Sequence, residues 1–199
     1  MIRVEKLVGP AILKFTQDLA RLRIEIFRDF PYLYEGDLNY EEKYLARYMR
    51  SSHAAIIAAR DSLENDRIVG AATVLPLSQE DPSIQKPFLE FGHAIETIYY
   101  FGESLLDPRF RGQGLGHRFF DEREKHALQD SNCKMTAFCA VDRPVDHPKR
   151  PQNYKPLHDF WTKRGYQVQP QLKTEFSWRD LGDSHETMKP MTFWTKEWK

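Results

Sequence analysis

A chain of 199 residues with 41% hydrophobic and 13% aromatic content carries enough apolar material for one core, so residues 1–199 read as a single domain. Lys plus Arg and Asp plus Glu both number 29, which leaves no net basic field for a nucleic acid or an anionic membrane and points to partners that are small or only locally charged. No apolar run approaches the ~20 residues of a membrane-spanning helix, and the charged opening MIRVEKLVGPAILKF lacks the apolar core of a signal peptide, so a cytoplasmic protein is expected. Cys133 and Cys139 form no C-x-x-C pair, so neither a zinc site nor any other metal is expected; on one extended strand they would stand about 20 Å apart, too far to be bridged.

In chain order, Ile2 to Lys6 is a short strand candidate. Apolar residues then recur at helical spacing from Pro10 to Asp29 (Ile12, Phe15, Leu19, Leu22, Ile26, Phe27), which predicts a first helix. Pro31 blocks its continuation, and Phe27, Phe30, Tyr32 and Tyr34 crowd together before a second helix over Tyr40 to Arg50. That crowding suits a core cluster and a substrate-facing wall equally. HAAIIAARD and RIVGAATVLPL predict an antiparallel hairpin about the polar turn SLEND, with Gly70 marking a bulge. From Ser78 to Glu96 runs a longer segment with Pro82, Pro87 and a short helical stretch, QKPFLEFG; it reads as a candidate flap over a pocket or as a surface connection.

Thr97 to Gln129 carries the strongest signal. Ile98 to Phe101 with Leu105 and Leu106 read as one buried strand, which Asp107 and Pro108 end. Gly112, Gly114 and Gly116 follow at alternate positions, and from Leu115 a helix begins with Phe119 and Phe120 on its apolar face. A helix start offers unpaired N–H groups and the positive end of the peptide dipoles, and glycines let a ligand approach them, so the stretch reads as a phosphate cradle. A Walker loop would follow its last glycine with Lys and Ser or Thr, where His117 and Arg118 stand; a dinucleotide fingerprint would need glycine at His117. KMTAFCAVD is the next strand, parallel to the Thr97 strand because a crossover helix joins them. The proline-rich run from Arg143 to Pro156 is irregular, and Leu157 to Tyr166 is a short helix closed by Gly165. KTEFSW and KPMTFWTKEW are two further strands, separated by RDLGDSHETM.

Arg111, Gly114 and Gly116 in Arg-Gly-Gln-Gly-Leu-Gly, preceded by Asp-Pro-x-Phe, resemble the acyl-CoA loop of the GNAT superfamily of N-acetyltransferases, and Trp161, Lys163, Gly165 and Tyr166 resemble its second signature. The resemblance extends to the element order of the whole chain. It implies an α/β fold: a mixed, mostly antiparallel sheet with a central parallel strand pair and helices on both faces. It implies acetyl-CoA as cosubstrate, its pyrophosphate held by the loop formed by Arg111, Gly112, Gln113, Gly114, Leu115, Gly116 and His117. The pantetheine arm and thioester would pair with the backbone of Ser104 and Leu106, where the central strand splays from its neighbour, with Trp161 flanking the cosubstrate. The implied activity is transfer of an acetyl group to a primary amine of a small molecule or peptide by direct attack in a ternary complex. A catalytically silent acyl-CoA-binding or sensor domain is the alternative; both bind CoA, and only the enzyme releases thiol when given an amine. Self-association into a homodimer is left open.

An amine attacking a thioester must be neutral, the carbonyl polarised and the departing thiolate protonated. Glu103, in the second half of the central strand, is the candidate base, since low-dielectric surroundings there would raise its pKa; its competing role is a structural pair with an arginine, and Glu96 is the reserve. Many relatives carry their glutamate earlier on the strand, where this chain has Ile98. The tyrosine that protonates the thiolate in many relatives is also missing, because the matching residue is Trp161, whose indole N–H is far too weak an acid. Tyr154 is the expected donor, with a modest effect. Cys139, His158 and Asp142 can be written down as a nucleophilic set without support from their spacing, and His93, His117, His126 and His147 show no ligand-like spacing.

Overall fold

The computed structural model describes residues 1–199. In chain order they form β1 (Ile2–Leu7), α1 (Thr16–Phe27), α2 (Leu38–Arg50), β2 (Ala55–Asp61), β3 (Arg67–Pro76), α3 (Pro82–Glu90), β4 (Ile98–Tyr100), β5 (Ser104–Leu106), α4 (Leu115–Ala127), β6 (Met135–Val141), α5 (His158–Lys163), β7 (Gln167–Trp178) and β8 (Thr187–Glu197). The strands make one sheet in the order β1-β2-β3-β4-β6-β8-β7, with β5 paired to β3. β4 and β6, joined through α4, are parallel, and the other pairs are antiparallel. No helix is long and apolar enough to cross a membrane.

Alternation along the strands supplies two cores. Ile56, Ala58, Ala71 and Leu75 join Leu19, Leu45, Ile84 and Phe88 from α1, α2 and α3. Their neighbours Ile57, Ala59 and Ala72 pack on Phe119 of α4, and Ala55, Val74 and Phe101 pack on Phe120. Helices therefore cover both faces. Gly70 does mark a bulge: the β2–β3 register shifts between Ala59 and Arg60 beside it, and a Cβ at Gly70 would meet Leu106 and Phe119 at 2.9 Å.

Several expected elements are corrected. The first helix is two pieces, since Gly9–Phe15 is a 3-10 stretch; the Thr16 hydroxyl donates to the Ile12 and Leu13 carbonyls where the two meet. α2 begins at Leu38 because the Asp37 carboxylate caps it, accepting from the Tyr40 N–H at 3.0 Å. The Ser78–Glu96 segment carries α3, anchored by Phe88, which is fully buried 4.9 Å from the Phe193 ring. Pro87 lies inside α3 and cannot bond the Ser83 carbonyl, which instead accepts the Thr174 hydroxyl of β7 at 2.8 Å. Cys133 lies in the turn before β6, and the last two strands are longer than their sequence patterns suggest.

The main correction concerns the central strand, which is broken into β4 and β5. Leu75 lies opposite Tyr100 and Ala72 opposite Ser104, so the central strand carries one residue more than β3 over this interval, which is a β-bulge. Thr73 faces it: its N–H donates to the Glu103 carbonyl and its hydroxyl accepts the Glu103 N–H, both at 3.1 Å. Glycine is required at 102, where a Cβ would come within 2.6 Å of the Tyr48 hydroxyl and 2.7 Å of Thr73 Oγ1. The pairing with β6 ends where the Phe101 N–H donates to the Ala137 carbonyl at 2.8 Å; β5 then follows β3 alone, and a wedge opens between β5 and β6. Gly102→Ala is expected to destabilise the fold by about 1–3 kcal/mol through overpacking, seen as a lower urea midpoint at unchanged slope. An unchanged midpoint would mean that the two hydroxyls move aside freely.

Candidate active site

Backbone direction alternates along β5. The Glu103 carbonyl accepts from Thr73, and the Asp107 N–H donates to the Val69 carbonyl at 2.9 Å, so the backbone groups of Ser104 and Leu106 between them face away from β3, into the wedge. Asp107 then caps the turn Pro108–Phe110, accepting the Arg109 N–H at 3.0 Å, and Arg109 reaches Glu64 at 3.0 Å. Beyond the turn Arg111 folds back so that its Nε lies 3.4 Å from the Leu106 carbonyl.

The glycine loop joins this edge to α4. Gly112 and Gly114 have φ of +76° and +78°, and Gly114 is the N-cap of α4 with no side chain capping the helix. The first helical bond runs from the Arg118 N–H to the Gly114 carbonyl at 3.2 Å, so the N–H groups of Leu115, Gly116 and His117 have no intrahelical acceptor. A Cβ at Gly112 or Gly114 would meet nothing within 4 Å. These glycines therefore supply backbone conformation and open access to N–H groups, and do not pack helix on strand. The His117 ring stands 4.9 Å from Phe160 of α5, with Arg164 Nη1 3.5 Å from its Nδ1. Trp161 is turned into the aromatic cluster beneath α5, 5.0 Å from Phe138 and 5.1 Å from Trp194.

On the α1–α2 side of the sheet a cleft of about 720 Å³ opens between the α1–α2 connection, the start of α3 and the β7–β8 hairpin, with Tyr100, Gly102, Glu103 and Cys139 at its floor. Glu103 is buried there: Arg23 Nη1 lies 2.6 Å from Oε1, and the Tyr44 hydroxyl donates to Oε2 at 2.7 Å. Arg23 also pairs with Glu41 through Nε, and its guanidinium sits 3.9 Å from the Tyr44 ring centroid. Glu103 thus has the arginine partner of its competing role, while its carboxylate still lines the cleft. From the opposite face Arg123, fully buried, donates to the Glu103 carbonyl at 3.1 Å; burial pulls its pKa down to about 10. Glu96 is exposed at the start of β4, before the strand reaches the cleft floor.

Cys139 is no nucleophile, because burial pushes its thiol up to about 12 while the Tyr100 hydroxyl lies 3.0 Å from Sγ. His158 is 5.3 Å from Trp194 in the cluster on the other face of the sheet, so Cys139 and His158 do not meet. No three His, Cys, Asp or Glu side chains are grouped to hold a metal ion.

The proline-rich run folds back on the α1–α2 connection. Arg143 donates to the Pro31 and Tyr32 carbonyls at 2.8 Å and grips Asp180 with both terminal nitrogens, at 2.8 and 2.9 Å. Tyr154 is carried to Phe30, 4.7 Å edge-on from its ring, with Arg150 4.9 Å from the Tyr154 ring centroid; neither Phe30 nor Tyr154 lines the cleft. Sequence reasoning missed Arg23, Tyr44, Arg123 and the Arg143–Asp180 clamp. Of these Arg23 alone leaves a trace, as a charge on the i, i+4 row between Leu19 and Phe27 of an otherwise apolar helix face.

Burial opposes the charge on Asp180, yet Arg143 and Lys189 hold its carboxyl below the usual range. The clamp's contribution is complete above the unfolded aspartate value of about 3.9 and is lost as pH falls through the lower folded value. Asp180→Asn is expected to cost about 3 kcal/mol of stability near about pH 7, with the gap to wild type closing in acid. Urea unfolding across this range checks it, and a gap independent of pH would mean that packing and not charge holds the clamp.

The "Acetyltransferase (GNAT) family" model matches residues 19–166. No curated protein matches the chain in sequence. Among solved structures, a candidate acetyltransferase from Acinetobacter baylyi ADP1 superposes with a TM-score of 0.65 at 12% identity, over 100% of this chain and 92% of that one. The loading GNATL domain of CurA from Lyngbya majuscula gives 0.63 at 14%, over 99% and 98%. Arabidopsis thaliana NAA60, solved with a bisubstrate analogue, gives 0.61 at 11%, over 100% of both chains. Identities this low speak for the fold alone. The family match spans most of the chain, and with the wedge and the glycine loop in place the chain belongs to the GNAT acetyltransferase family.

Proposed function

We propose that the protein is an acetyl-CoA-dependent N-acetyltransferase acting on a primary amine of a small molecule or peptide, by direct attack in a ternary complex and in the cytoplasm. One observation carries this reading. The bulge turns the backbone of Ser104 and Leu106 toward the wedge beside the glycine loop and leaves the Glu103 carboxylate in the cleft on the other side, so two substrates can meet across one strand.

The uncapped N–H groups of Leu115, Gly116 and His117, with Gly112, Gln113 and Gly114 before them, suit a diphosphate, and Arg111 adds a positive charge beside them. Ser104 and Leu106 would pair with the pantetheine amides, and Trp161 would wall the groove. When acetyl-CoA is bound it supplies the activated acyl carbon. The amine nitrogen bonds to that carbon as the carbon–sulfur bond breaks; Glu103 takes the proton from the nitrogen, and sulfur takes one from Tyr154 or water. Arg23 and Tyr44 orient the Glu103 carboxylate for this. Burial pushes the Tyr154 phenol up against the pull of Arg150, so it keeps its proton at neutral pH and is a weak donor.

Thiol release from acetyl-CoA, measured over a panel of amines, amino acids and peptides, tests the reading. Gly114→Val is expected to weaken CoA binding more than about tenfold, roughly 1.4 kcal/mol. Glu103→Gln should lower kcat by about 10²-fold to 10⁴-fold with CoA affinity nearly unmoved, and Tyr154→Phe by about tenfold or less. CoA binding with no thiol release from any amine would favour the silent sensor domain instead.

A further inference from the structure

The chain has equal numbers of acidic and basic residues, but the cleft does not. Its wall carries six carboxylates (Glu35, Asp37, Asp81, Glu103, Glu175 and Glu186) against the guanidiniums of Arg23, Arg47 and Arg179. All three guanidiniums are already engaged: Arg23 with Glu41 and Glu103, Arg47 with Glu80 at 2.5 Å, and Arg179 with Glu35 at 3.0 Å. Asp37, Asp81, Glu175 and Glu186 have no cationic side chain within reach: Asp37 and Asp81 serve as helix caps, and Glu186 accepts the Ser177 hydroxyl at 2.9 Å. Behind the wall Glu41 and Glu80 are buried, and each keeps one carboxylate oxygen with no hydrogen-bond partner. Asp37, Asp81, Glu175 and Glu186 therefore carry charge that no cation of the protein pairs, whereas the buried Glu41, Glu80 and Glu103 are held by Arg23 and Arg47.

Such a field hinders a monoamine, because it favours the ammonium form, which cannot attack. It serves an acceptor with two amines, one staying protonated against the carboxylates while the other, deprotonated, is presented beside Glu103. The rings of Tyr34, Tyr40, Phe176 and Trp178 line the same space and offer faces and alkyl-compatible surface to an organic cation. A cleft of about 720 Å³ with walls on several sides is of small-molecule size. We infer that the acceptor is a small aliphatic di- or polyamine whose distal ammonium is held by Glu175 and Glu186 on the β7–β8 hairpin. The inference rests on the acyl-transfer reading above.

Calorimetric titration of 1,4-diaminobutane and a linear triamine into the CoA-saturated protein, with 1-aminobutane as the single-charge control, tests it separately from turnover. The triamine is expected to bind at least about tenfold more tightly than 1-aminobutane, with an affinity that falls as salt rises. Glu175 and Glu186 are both exposed, so the double variant Glu175→Gln/Glu186→Gln should fold. It should raise the KM for the triamine about tenfold or more while kcat holds, and Glu42→Gln, an exposed carboxylate of α2 outside the cleft, should not. Equal binding of 1-aminobutane and triamine, or an unmoved KM in the double variant, would overturn the inference. So would a lysine-rich peptide that binds where the triamine does not. Triamine binding without thiol release would contradict the transferase reading and uphold the ligand class; thiol release with monoamines and no preference for polyamines would do the reverse.

Discussion

Opposite Thr73 the central strand places Gly102 and Glu103 where a regular ladder has room for one residue, and the hydrogen bonds around that extra residue set the rest of the geometry. The Thr73 hydroxyl accepts both the Glu103 N–H and, at 3.0 Å, the Tyr48 hydroxyl; the Tyr48 and Tyr44 oxygens are 3.1 Å apart, and Tyr44 returns to the Glu103 carboxylate. Main chain and side chain of one residue are thereby tied to the same helix, α2. Without the bulge β5 would continue beside β6, the wedge would close, and Glu103 would sit on the face of Phe101, under α4, and not in the cleft.

Two arginines brace this point from opposite faces of the sheet. Arg23 meets the carboxylate and Arg123 the carbonyl of the same residue, Glu103. Removing one partner of a buried pair leaves an uncompensated charge, at a cost of about 3–5 kcal/mol. Such bracing restrains the Glu103 carboxylate and main chain, as the general-base role proposed for it would require. A second clamp, Arg143 with Asp180, fixes the cleft's outer wall by joining the α1–α2 connection to the β7–β8 hairpin. Wall and floor are thus each held by a guanidinium, and the remaining carboxylates give the cleft its sign.

Much of this was legible in the residues. Glycines at alternate positions between an apolar strand and a charged helix point to an open helix start, which the positive φ of Gly112 and Gly114 and the uncapped α4 provide, and the strand–helix–strand crossover dictates the parallel pair. The break in the central strand was not legible in the sequence, and it shows only in the folded chain. Tyr100 and Leu105 pack in the same core despite an odd spacing that would send them to opposite faces, so the register must slip once between them, and Gly102 is where it can. The proline-rich run and the clamp it carries left no trace, because Arg143 finds Asp180 across the fold and no local period encodes such a contact. Pro87 was read inside a short helical stretch, as found; what no local pattern encodes is that the carbonyl it orphans is satisfied by Thr174, remote in sequence.

We propose that the wedge and the glycine loop form one groove for an acyl-CoA. Amide NMR of the labelled protein with and without CoA addresses it directly, since the contacts are argued to be backbone N–H groups. The largest shifts and the strongest slowing of hydrogen exchange are expected to fall on Ser104, Leu106 and the amides from Gly112 to His117. Perturbation confined to the small cavity of about 240 Å³ lined by His93, Thr97, Lys134 and Trp198 at the far end of β4, with the loop amides unmoved, would contradict it.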